Sequence, residues 1–397
     1  MKEGWEYKKL GEVCRIERGG SPRPIKDFIT NSPDGLNWIK IGDTDPQGKY
    51  IYSTKEKIKP EGLRKSRWVE VDEFLLSNSM SFGRPYILKT NGCIHDGWLV
   101  LRDYQKSLII DYFYYLLISP HVQNQFRTKA QGSTVSNLNT DRVADVNIAF
   151  PSLSEQQSIV DYLDSAFAKI DAMKANAEKA LNEAKALFQA SLKEMLEPKD
   201  GWEEKTLKEI AQIKIGPFGS LLHKKDYITG GVPLVNPIHM VNGHIAIDNN
   251  YTIWESKAKE LSLYRLKEND IVFARRGEIG RCALVGEKED TYLCGTGSLF
   301  VRFNQVVDYG FMLLLFQSKY CKEYLEKQAT GATMLNINSA IVGDMSIKYP
   351  HINIQHSIVA TLDSLKSKVD RLQENYDKIS QECDALKQAL LKEVFEG

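Results

Sequence analysis

Two short turns resemble a catalytic motif of DNA-modifying enzymes without completing it. An enzyme that acts on adenine must hold the extruded base by hydrogen bonds and by aromatic stacking. This calls for Asp or Asn, two prolines and an aromatic residue in succession. The turns Asp45-Pro46-Gln47-Gly48 and Asn236-Pro237-Ile238-His239 lack both the second proline and the aromatic residue. We therefore expect no adenine methylation by this chain.

Other catalytic and cofactor motifs are also missing from the sequence. It contains no G-x-x-x-x-G-K-[ST] loop for ATP phosphates. Pro33-Asp34 lacks the downstream acid-x-Lys of a common nuclease core. The six cysteines form no C-x-x-C pair and the seven histidines show no metal-ligand spacing. We predict a non-catalytic chain with no cofactor or metal of its own and with reduced, mostly buried thiols.

The composition is that of a globular protein, with 42% hydrophobic and 26% charged residues. No apolar run approaches the roughly 20 residues that cross a bilayer. The N-terminus passes directly into charged sequence, so it does not read as a secretory signal peptide. We expect a cytoplasmic location.

Side chains able to bind DNA occur in two regions with a small basic excess. Residues 1–150 carry 22 Lys and Arg against 18 Asp and Glu, and residues 201–349 carry 18 against 17. Base edges are read by Arg, Lys, Asn, Gln or Ser, whereas exposed basic groups also bind phosphate. For any single Lys or Arg, an ordinary solvated surface charge is the alternative interpretation.

Arg275 and Arg276 are the strongest candidates, because two adjacent arginines after an apolar strand can direct one side chain toward DNA. The candidate DNA-binding residues of the first region are Ser21, Arg23, Lys40, Lys65, Arg67, Asn78, Arg84, Ser133 and Thr134. Those of the second region are Ser220, His223, Lys224, Asn236, His239, Arg275, Arg276, Arg281 and Thr333.

The sequence contains one internal repeat, with an offset of 197 to 199 residues. The repeated segments begin with Gly4-Trp5-Glu6 and Gly201-Trp202-Glu203, continue through Gly132-Ser133-Thr134 and Gly331-Ala332-Thr333, and end at Pro151-Ser152-Leu153 and Pro350-His351-Ile352. The residues between them differ almost completely. This pattern favours one scaffold with two different specificities, and a decayed gene duplication is the alternative.

Each copy ends in a predicted long helix with apolar residues at alternating steps of four and three, the pattern of a coiled coil. The seam of the second helix is Ile358, Leu362, Leu365, Val369, Leu372, Tyr376, Ile379, Cys383, Leu386 and Leu390. The seam of the first is smaller: Ile159, Leu163, Ala166, Ile170, Met173, Ala177, Ala180, Ala184, Leu187 and Ser191. We predict that the two helices pair with each other, antiparallel; a homodimer through the second helix is the alternative.

Mixed α+β structure is expected between the repeated segments. The predicted strands are 37–41, 74–76, 98–101, 232–235, 271–273 and 298–303, and the predicted helices are 111–126 and 309–325. The resulting division is a first domain over 1–150, a helix and linker over 151–200, a second domain over 201–349 and a final helix over 350–397.

Taken together, these residues resemble the specificity subunits of type I restriction-modification systems over essentially the whole chain. The resemblance rests on motifs that occur in the same order in both copies. In the first copy they are Gly4-Trp5, Leu10-Gly11-Glu12-Val13, Gly19-Gly20-Ser21-Pro22, Trp38-Ile39-Lys40-Ile41-Gly42-Asp43, Gly132-Ser133-Thr134 and Pro151 to Gln157. The second copy departs from two of them, with Gly216-Pro217-Phe218-Gly219-Ser220 and Leu234-Val235-Asn236-Pro237.

The resemblance implies two pseudo-symmetric target-recognition domains separated by two long antiparallel helices. It further implies that each domain recognises one half of a bipartite, asymmetric double-stranded DNA target. The helices would bind two methyltransferase subunits, and restriction subunits would join that core. S-adenosylmethionine, ATP and Mg would then be bound by the partner subunits and not by this chain.

Two alternatives remain open at the level of sequence. One is the recognition subunit of a related bifunctional restriction enzyme, of the type IIB or IIG kind. The other is a coiled-coil scaffold for protein interactions without a DNA role.

Overall fold

A computed structural model describes residues 2–46, 48–78, 83–130, 138–330 and 335–396. The chain forms two compact units, one comprising 1–178 with 375–397 and the other comprising 179–374. Each unit therefore contains one copy of the repeat and a segment of both long helices. The division predicted from the sequence was different: it treated each long helix as a segment of its own, separate from the two domains.

The first unit contains twelve strands and four short helices among its described residues, before the first long helix. The strands are β1 (Glu6–Lys9), β2 (Arg15–Arg18), β3 (Ile29–Thr30), β4 (Leu36–Ile39), β5 (Tyr50–Ile51), β6 (Glu56–Ile58), β7 (Arg67–Val69), β8 (Phe74–Ser77), β9 (Pro85–Leu88), β10 (Gly92–Ile94), β11 (Trp98–Arg102) and β12 (Asn147–Phe150). The helices are α1 (Leu10–Val13), α2 (Ile110–Ile118), α3 (Pro120–Ala130) and α4 (Thr140–Ala144), followed by the long α5 (Leu153–Leu196).

The second unit repeats this order. Its strands are β13 (Glu203–Thr206), β14 (Ala211–Ile215), β15 (Tyr227–Ile228), β16 (Val232–Val235), β17 (Met240–Val241), β18 (His244–Ile245), β19 (Thr252–Ile253), β20 (Ile271–Ala274), β21 (Cys282–Leu284), β22 (Leu293–Cys294), β23 (Ser298–Phe303) and β24 (Ser346–Tyr349). Its helices are α6 (Leu207–Ile210), α7 (Glu255–Glu260), α8 (Tyr309–Gln317), α9 (Lys319–Gln328), α10 (Ser339–Gly343) and the long α11 (Ile352–Glu396).

The two main sheets of each unit have the same strand order, with five strands each in the first unit and four each in the second. One sheet has the order β2-β11-β8-β9-β5 in the first unit and β14-β23-β20-β21 in the second. The other has the orders β3-β6-β4-β10-β7 and β15-β19-β16-β22. In both units the strand that leads to the predicted site, β4 or β16, pairs in parallel with β10 or β22. The repeat seen in the sequence is thus a repeat of topology.

The strand β8 is continuously apolar because both of its faces are buried. Phe74 and Leu76 face the core that contains the helices, whereas Leu75 faces a second core under the other sheet. The equivalent strand β20 divides in the same way, with Phe273 in one core and Val272 in the other. Side chains alternate along a strand, so a strand between two cores shows no polar alternation.

Proline and serine shorten the helices that the sequence predicted between the sheets. The predicted helix 111–126 is two helices, α2 and α3, because Pro120 cannot donate the backbone hydrogen bond that a continuous helix requires. The predicted helix 309–325 is likewise divided into α8 and α9. Here Ser318 caps the second helix, with its side chain accepting a hydrogen bond from the backbone of Cys321.

The long helices pair antiparallel within each unit, as predicted. In the first unit Lys387 forms an ion pair with Asp171 at 2.5 Å, and Lys174 lies 3.4 Å from Asp384. Both pairs join α5 to α11. In the second unit Lys185 of α5 donates to Gln373 of α11 at 2.8 Å. Residue numbers rise along one helix as they fall along the other, which defines the antiparallel direction.

The predicted seam of α5 is correct up to Ile170 and again at Ala177, Ala184 and Ser191, but it is wrong by one position at Met173, Ala180 and Leu187. Met173 and Leu187 are exposed, whereas Leu181 is buried and Phe188 packs against the core of the second unit. Near Lys174 the contact positions advance by four residues twice in succession, a stutter in the heptad pattern. In α11 the same shift leaves Leu386 exposed, and Lys387 turns toward α5.

A buried glutamine joins each recognition fold to its long helix. In the first unit Gln156 accepts from the backbone of Ile109 at 2.9 Å and donates to the carbonyl of Pro151 at 2.9 Å. Gln355 makes the matching bonds in the second unit, to Asp308 and Pro350. Both side chains lie inside the protein, where each bond satisfies a polar group that water cannot reach.

A buried arginine–carboxylate pair also recurs. Arg302 donates twice to Asp270, at 2.8 and 2.6 Å, and Arg102 donates to Glu73 at 2.9 Å. Asp270 is 1% exposed. Each pair links the residue just before β20 or β8 to the neighbouring strand β23 or β11. Loss of one partner leaves the charge of the other uncompensated.

We predict that Asp270→Ala lowers the free energy of unfolding by about 3 kcal/mol, because the arginine beside it stays largely buried without a counter-charge. The matched control is Glu255→Ala. Glu255 pairs with Arg265 at the surface and is 59% exposed, so its loss should cost less than about 1 kcal/mol. Urea denaturation of the two variants checks this difference. Equal effects would contradict it.

Candidate nucleic-acid interface

The candidate site of each unit is built on a close approach of two backbone segments. Gly19 donates to the carbonyl of Trp98 at 2.9 Å, and Gly216 donates to that of Ser298 at 3.0 Å. A Cβ on Gly19 would lie 2.2 Å from the carbonyl oxygen of His95, and one on Gly216 would lie 2.0 Å from that of Gly295. Only glycine fits at these positions without a shift of the backbone.

Asn78 and Arg275 occupy the same position, directly after the central strand of each unit. Asn78 donates its backbone N–H to Gly97 at 3.0 Å and accepts from Leu138 at 2.9 Å. Arg275 makes the same two bonds, to Gly297 and from Ile337, both at 3.0 Å. This position therefore links the end of β8 or β20, through its backbone, to the turn that precedes β11 or β23.

The side chains of Asn78 and Arg275, two predicted DNA contacts, are interior. Asn78 is 1% exposed and donates to the carbonyl of Asp96 at 2.8 Å. Arg275 is 7% exposed, and its Nε donates to Asn336 at 3.1 Å. Burial lowers the pKa of the Arg275 guanidinium. Both side chains are thus held by hydrogen bonds inside the fold.

Ser21, Arg23 and Lys40, three of the predicted DNA-binding residues, come together in the first unit. They line an open cleft of about 860 Å³, together with His95. Ser21 donates to Asp96 at 2.6 Å, and the guanidinium of Arg23 lies 3.3 Å from the same carboxylate. Lys40 forms an ion pair with Glu56 at 2.7 Å, so part of its charge is neutralised within the protein.

Sequence reasoning missed Asp96 and His95, which lie at the centre of this cluster. The candidates were chosen as groups that attract phosphate or donate to bases, and an acidic residue was not among them. The hydroxyl of Ser21 donates to Asp96 and holds the pKa of that carboxyl below its ordinary value. Burial lowers the pKa of His95, which accepts a hydrogen bond from the backbone of Gly97 at 2.8 Å.

The other candidates of the first unit are more dispersed. Lys65 is exposed and lies over the ring of Phe28, at 5.8 Å. Arg67 forms an ion pair with Glu17 at 2.8 Å and also bonds the backbone. Arg84 is half-buried over the ring of Tyr86. Of these three, Lys65 is the one whose charge faces solvent without an ion-pair partner among the described contacts.

In the second unit Ser220, His223, Lys224 and Arg276 are exposed. Asn236 and Arg281 are half-buried. Arg281 forms an ion pair with Glu278 and donates to the carbonyl of Pro237 at 3.3 Å.

His239, a third predicted DNA contact, is also interior. It is 2% exposed and packs edge-on against the ring of Tyr251. Its Nδ1 accepts from the backbone of Asn236 at 3.1 Å, so it holds the turn that carries Asn236. The candidates Ser133, Thr134 and Thr333 lie outside the described residues.

The two sites have the same backbone frame but different side chains. The position of Ser21 is taken in the second unit by Phe218, which is 57% exposed, and the position of Asp96 is taken by Thr296. Hydroxyl, carboxylate and guanidinium groups thus stand where the other unit presents an aromatic ring and a threonine. Surfaces with such different hydrogen-bonding capacity select different base pairs.

A family model described as the type I restriction modification DNA specificity domain matches residues 2–183 and again residues 199–381. The chain belongs to this family. The two matches coincide with the two copies of the repeat, so the specificity domain occurs twice in one chain.

Two relatives match nearly the full length of the chain. The type I restriction enzyme EcoBI specificity subunit of Escherichia coli is 19% identical, over 100% of this chain and 86% of the relative. The MjaVIII specificity subunit of Methanocaldococcus jannaschii is 22% identical, over 93% of this chain and 88% of the relative. This coverage places both specificity domains and both helices in the alignment.

Solved structures show the same fold. The HsdS subunit from Thermoanaerobacter tengcongensis aligns with a TM-score of 0.65 at 20% identity, covering 100% of this chain and 98% of that one. A chain from a study of complex assembly and conformational transition of the type I R-M system aligns with a TM-score of 0.75 at 19% identity, covering 100% and 99%. The α+β class and the antiparallel long helices predicted from the sequence are thereby confirmed.

All six cysteines are buried, as predicted. Within the described ranges no three His, Cys, Asp or Glu side chains are grouped so that they could hold a metal. In the same ranges no helix combines the length and the apolar composition that a bilayer crossing needs.

We predict that the second unit loses stability as the pH falls below about 6.5, the ordinary pKa of histidine. Burial lowers the pKa of folded His239, so between the two pKa values the unfolded chain binds the extra proton and stability rises with pH. His239→Gln, which keeps an acceptor for Asn236, should show a smaller drop in melting temperature between pH 7.5 and 5.5. Identical drops in the wild type and the variant would contradict this assignment.

Proposed function

We propose that this chain is the DNA-sequence-specificity subunit of a type I restriction-modification complex. Each unit reads one half of a bipartite, asymmetric site in double-stranded DNA. The observation that carries the proposal is that one backbone frame is built twice and presents different side chains at equivalent positions. A single scaffold with two chemically different surfaces suits a target with two unlike halves.

The chain reads DNA and leaves the chemistry to its partners. Two methyltransferase subunits bind the long helices, and restriction subunits join this core. Exposed apolar side chains outside the helix seam, among them Tyr162, Met173, Leu187 and Leu386, support this docking role. S-adenosylmethionine belongs to the methyltransferase subunits, and ATP and Mg belong to the restriction subunits. The complex acts in the cytoplasm, where the DNA lies.

We expect the purified chain to transfer no methyl group to DNA by itself. Together with its methyltransferase subunits and S-adenosylmethionine, it should support methylation of adenines in duplex DNA. Incorporation of labelled methyl groups, with the chain, the partners and their mixture assayed in parallel, measures this. Methylation by a rigorously pure sample of the chain alone would overturn the proposed role.

We predict that Arg276→Ala weakens recognition of one half-site by about tenfold and leaves the other unchanged, because this exposed arginine belongs to the second unit alone. Lys319→Ala is a suitable control, since Lys319 is an exposed cation of the same unit that lies on α9 beside Glu323 and is not among the predicted DNA contacts. Binding is measured on duplexes altered in one half-site at a time. Equal weakening on both halves would reassign Arg276 to general phosphate binding. In that case DNA binding by the variant should also depend less steeply on salt concentration than binding by the wild type.

A further inference from the structure

Asp96 is a partly exposed carboxylate beside Arg23, next to a cleft that is also lined by Lys40 and Glu56. It lies in the turn between β10 and β11, and two separate segments of the chain hold it. Arg18 and Asn78 donate to its backbone carbonyl at 3.3 and 2.8 Å, while Ser21 donates to its side chain at 2.6 Å. The orientation of the carboxylate is therefore fixed before any ligand binds.

The second carboxylate oxygen faces Arg23. The guanidinium of Arg23 lies 3.3 Å from Asp96 Oδ2, and the two side chains are 79% and 43% exposed. Ser21 occupies one site on Oδ1, so the carboxylate retains acceptor capacity toward solvent. Arg23 has five donors in a planar fork and uses one of them here, so most of its donors also face outward.

A carboxylate on a DNA-binding surface is repelled by phosphate, so its energetic gain must come from a base. In the major groove a carboxylate accepts from the N4 amino group of cytosine, and an arginine donates to O6 and N7 of guanine. These two edges belong to one base pair. Asp96 and Arg23, held side by side, match the donor and acceptor pattern of that pair.

We propose that Arg23 and Asp96 together read a single cytosine–guanine pair in the half-site of the first unit. Asp96 accepts from cytosine and Arg23 donates to guanine, while Ser21 fixes the carboxylate without reading a base. This inference rests on the function proposed above and specifies one position of the target. In the second unit Ser220 and Thr296 take the positions of Arg23 and Asp96, so that half-site has no cytosine–guanine pair read in this way.

The test is selection of duplexes from a randomised pool by the full chain in complex with its methyltransferase subunits. The wild type should enrich two short motifs, one of which contains an invariant C·G pair. Asp96→Asn and Arg23→Ala should each lose preference at that same pair by about tenfold. Ser21→Ala should retain the preference, because the carboxylate remains.

Lys26→Ala is the matched cation control, since Lys26 lines the same cleft without contacting Asp96. It should weaken binding without changing the motif. The motif of the second unit, read in the same experiment, reports whether each variant complex is intact. Asp96→Asn could erase every position of the first motif. The result for Arg23→Ala then decides the question: a loss of preference confined to the C·G pair supports the inference, and a uniform loss across the motif overturns it.

Loss at two different base pairs in the two variants, or an unchanged motif in Asp96→Asn, would also overturn the inference. These outcomes differ from a failure of the proposed function. In that case the wild-type complex itself would enrich no motif.

Discussion

Each unit of this protein depends on an antiparallel pairing between helix segments that lie roughly two hundred residues apart in the chain. The first unit cannot be completed without the end of α11, whose Leu391 and Phe395 enter the core beside Tyr112. The second unit requires the end of α5 and the beginning of α11, where Leu196 and Leu362 share one core. Most of the stability of a helix in a protein comes from such packing of its apolar face.

This constraint separates stability from specificity. The helix pairing, the buried glutamines Gln156 and Gln355 and the arginine–carboxylate pairs are present in both units, and none of them involves Ser21, Arg23 or Phe218. Ser21 and Phe218 occupy equivalent surface positions but can differ in chemistry, because backbone hydrogen bonds, and not these side chains, hold the local structure. A scaffold of this kind tolerates a change of surface chemistry without a change of fold.

The architecture could be predicted from the sequence because it produces regular spacings of residues along the chain. The repeat, the long helices and their antiparallel pairing all follow from spacings that a linear pattern preserves. The stutter near Lys174 could not be predicted, because it depends on which residue faces the partner helix. The division of the predicted helix at Pro120 could have been predicted from that proline.

The candidate site was less accessible to sequence reasoning. Arg275 and His239 are polar residues beside turns, and such a position is compatible with both a surface contact and an interior brace. Their burial is decided by Asn336 and Tyr251, which lie far along the chain or in another turn. Asp96 was missed for a related reason: its partner Ser21 is 75 residues away, and nothing in the local sequence announces their contact.

The central claim is that two unlike surfaces on one repeated scaffold read a split target. It is tested most directly by sequencing the methylated adenines in DNA from cells that carry this chain with its methyltransferase subunits, against cells that lack the chain. The account predicts that the modified adenines fall in two different short motifs, one on each strand, separated by a constant number of unspecified base pairs. A single continuous motif, or the same motif in both halves, would contradict it.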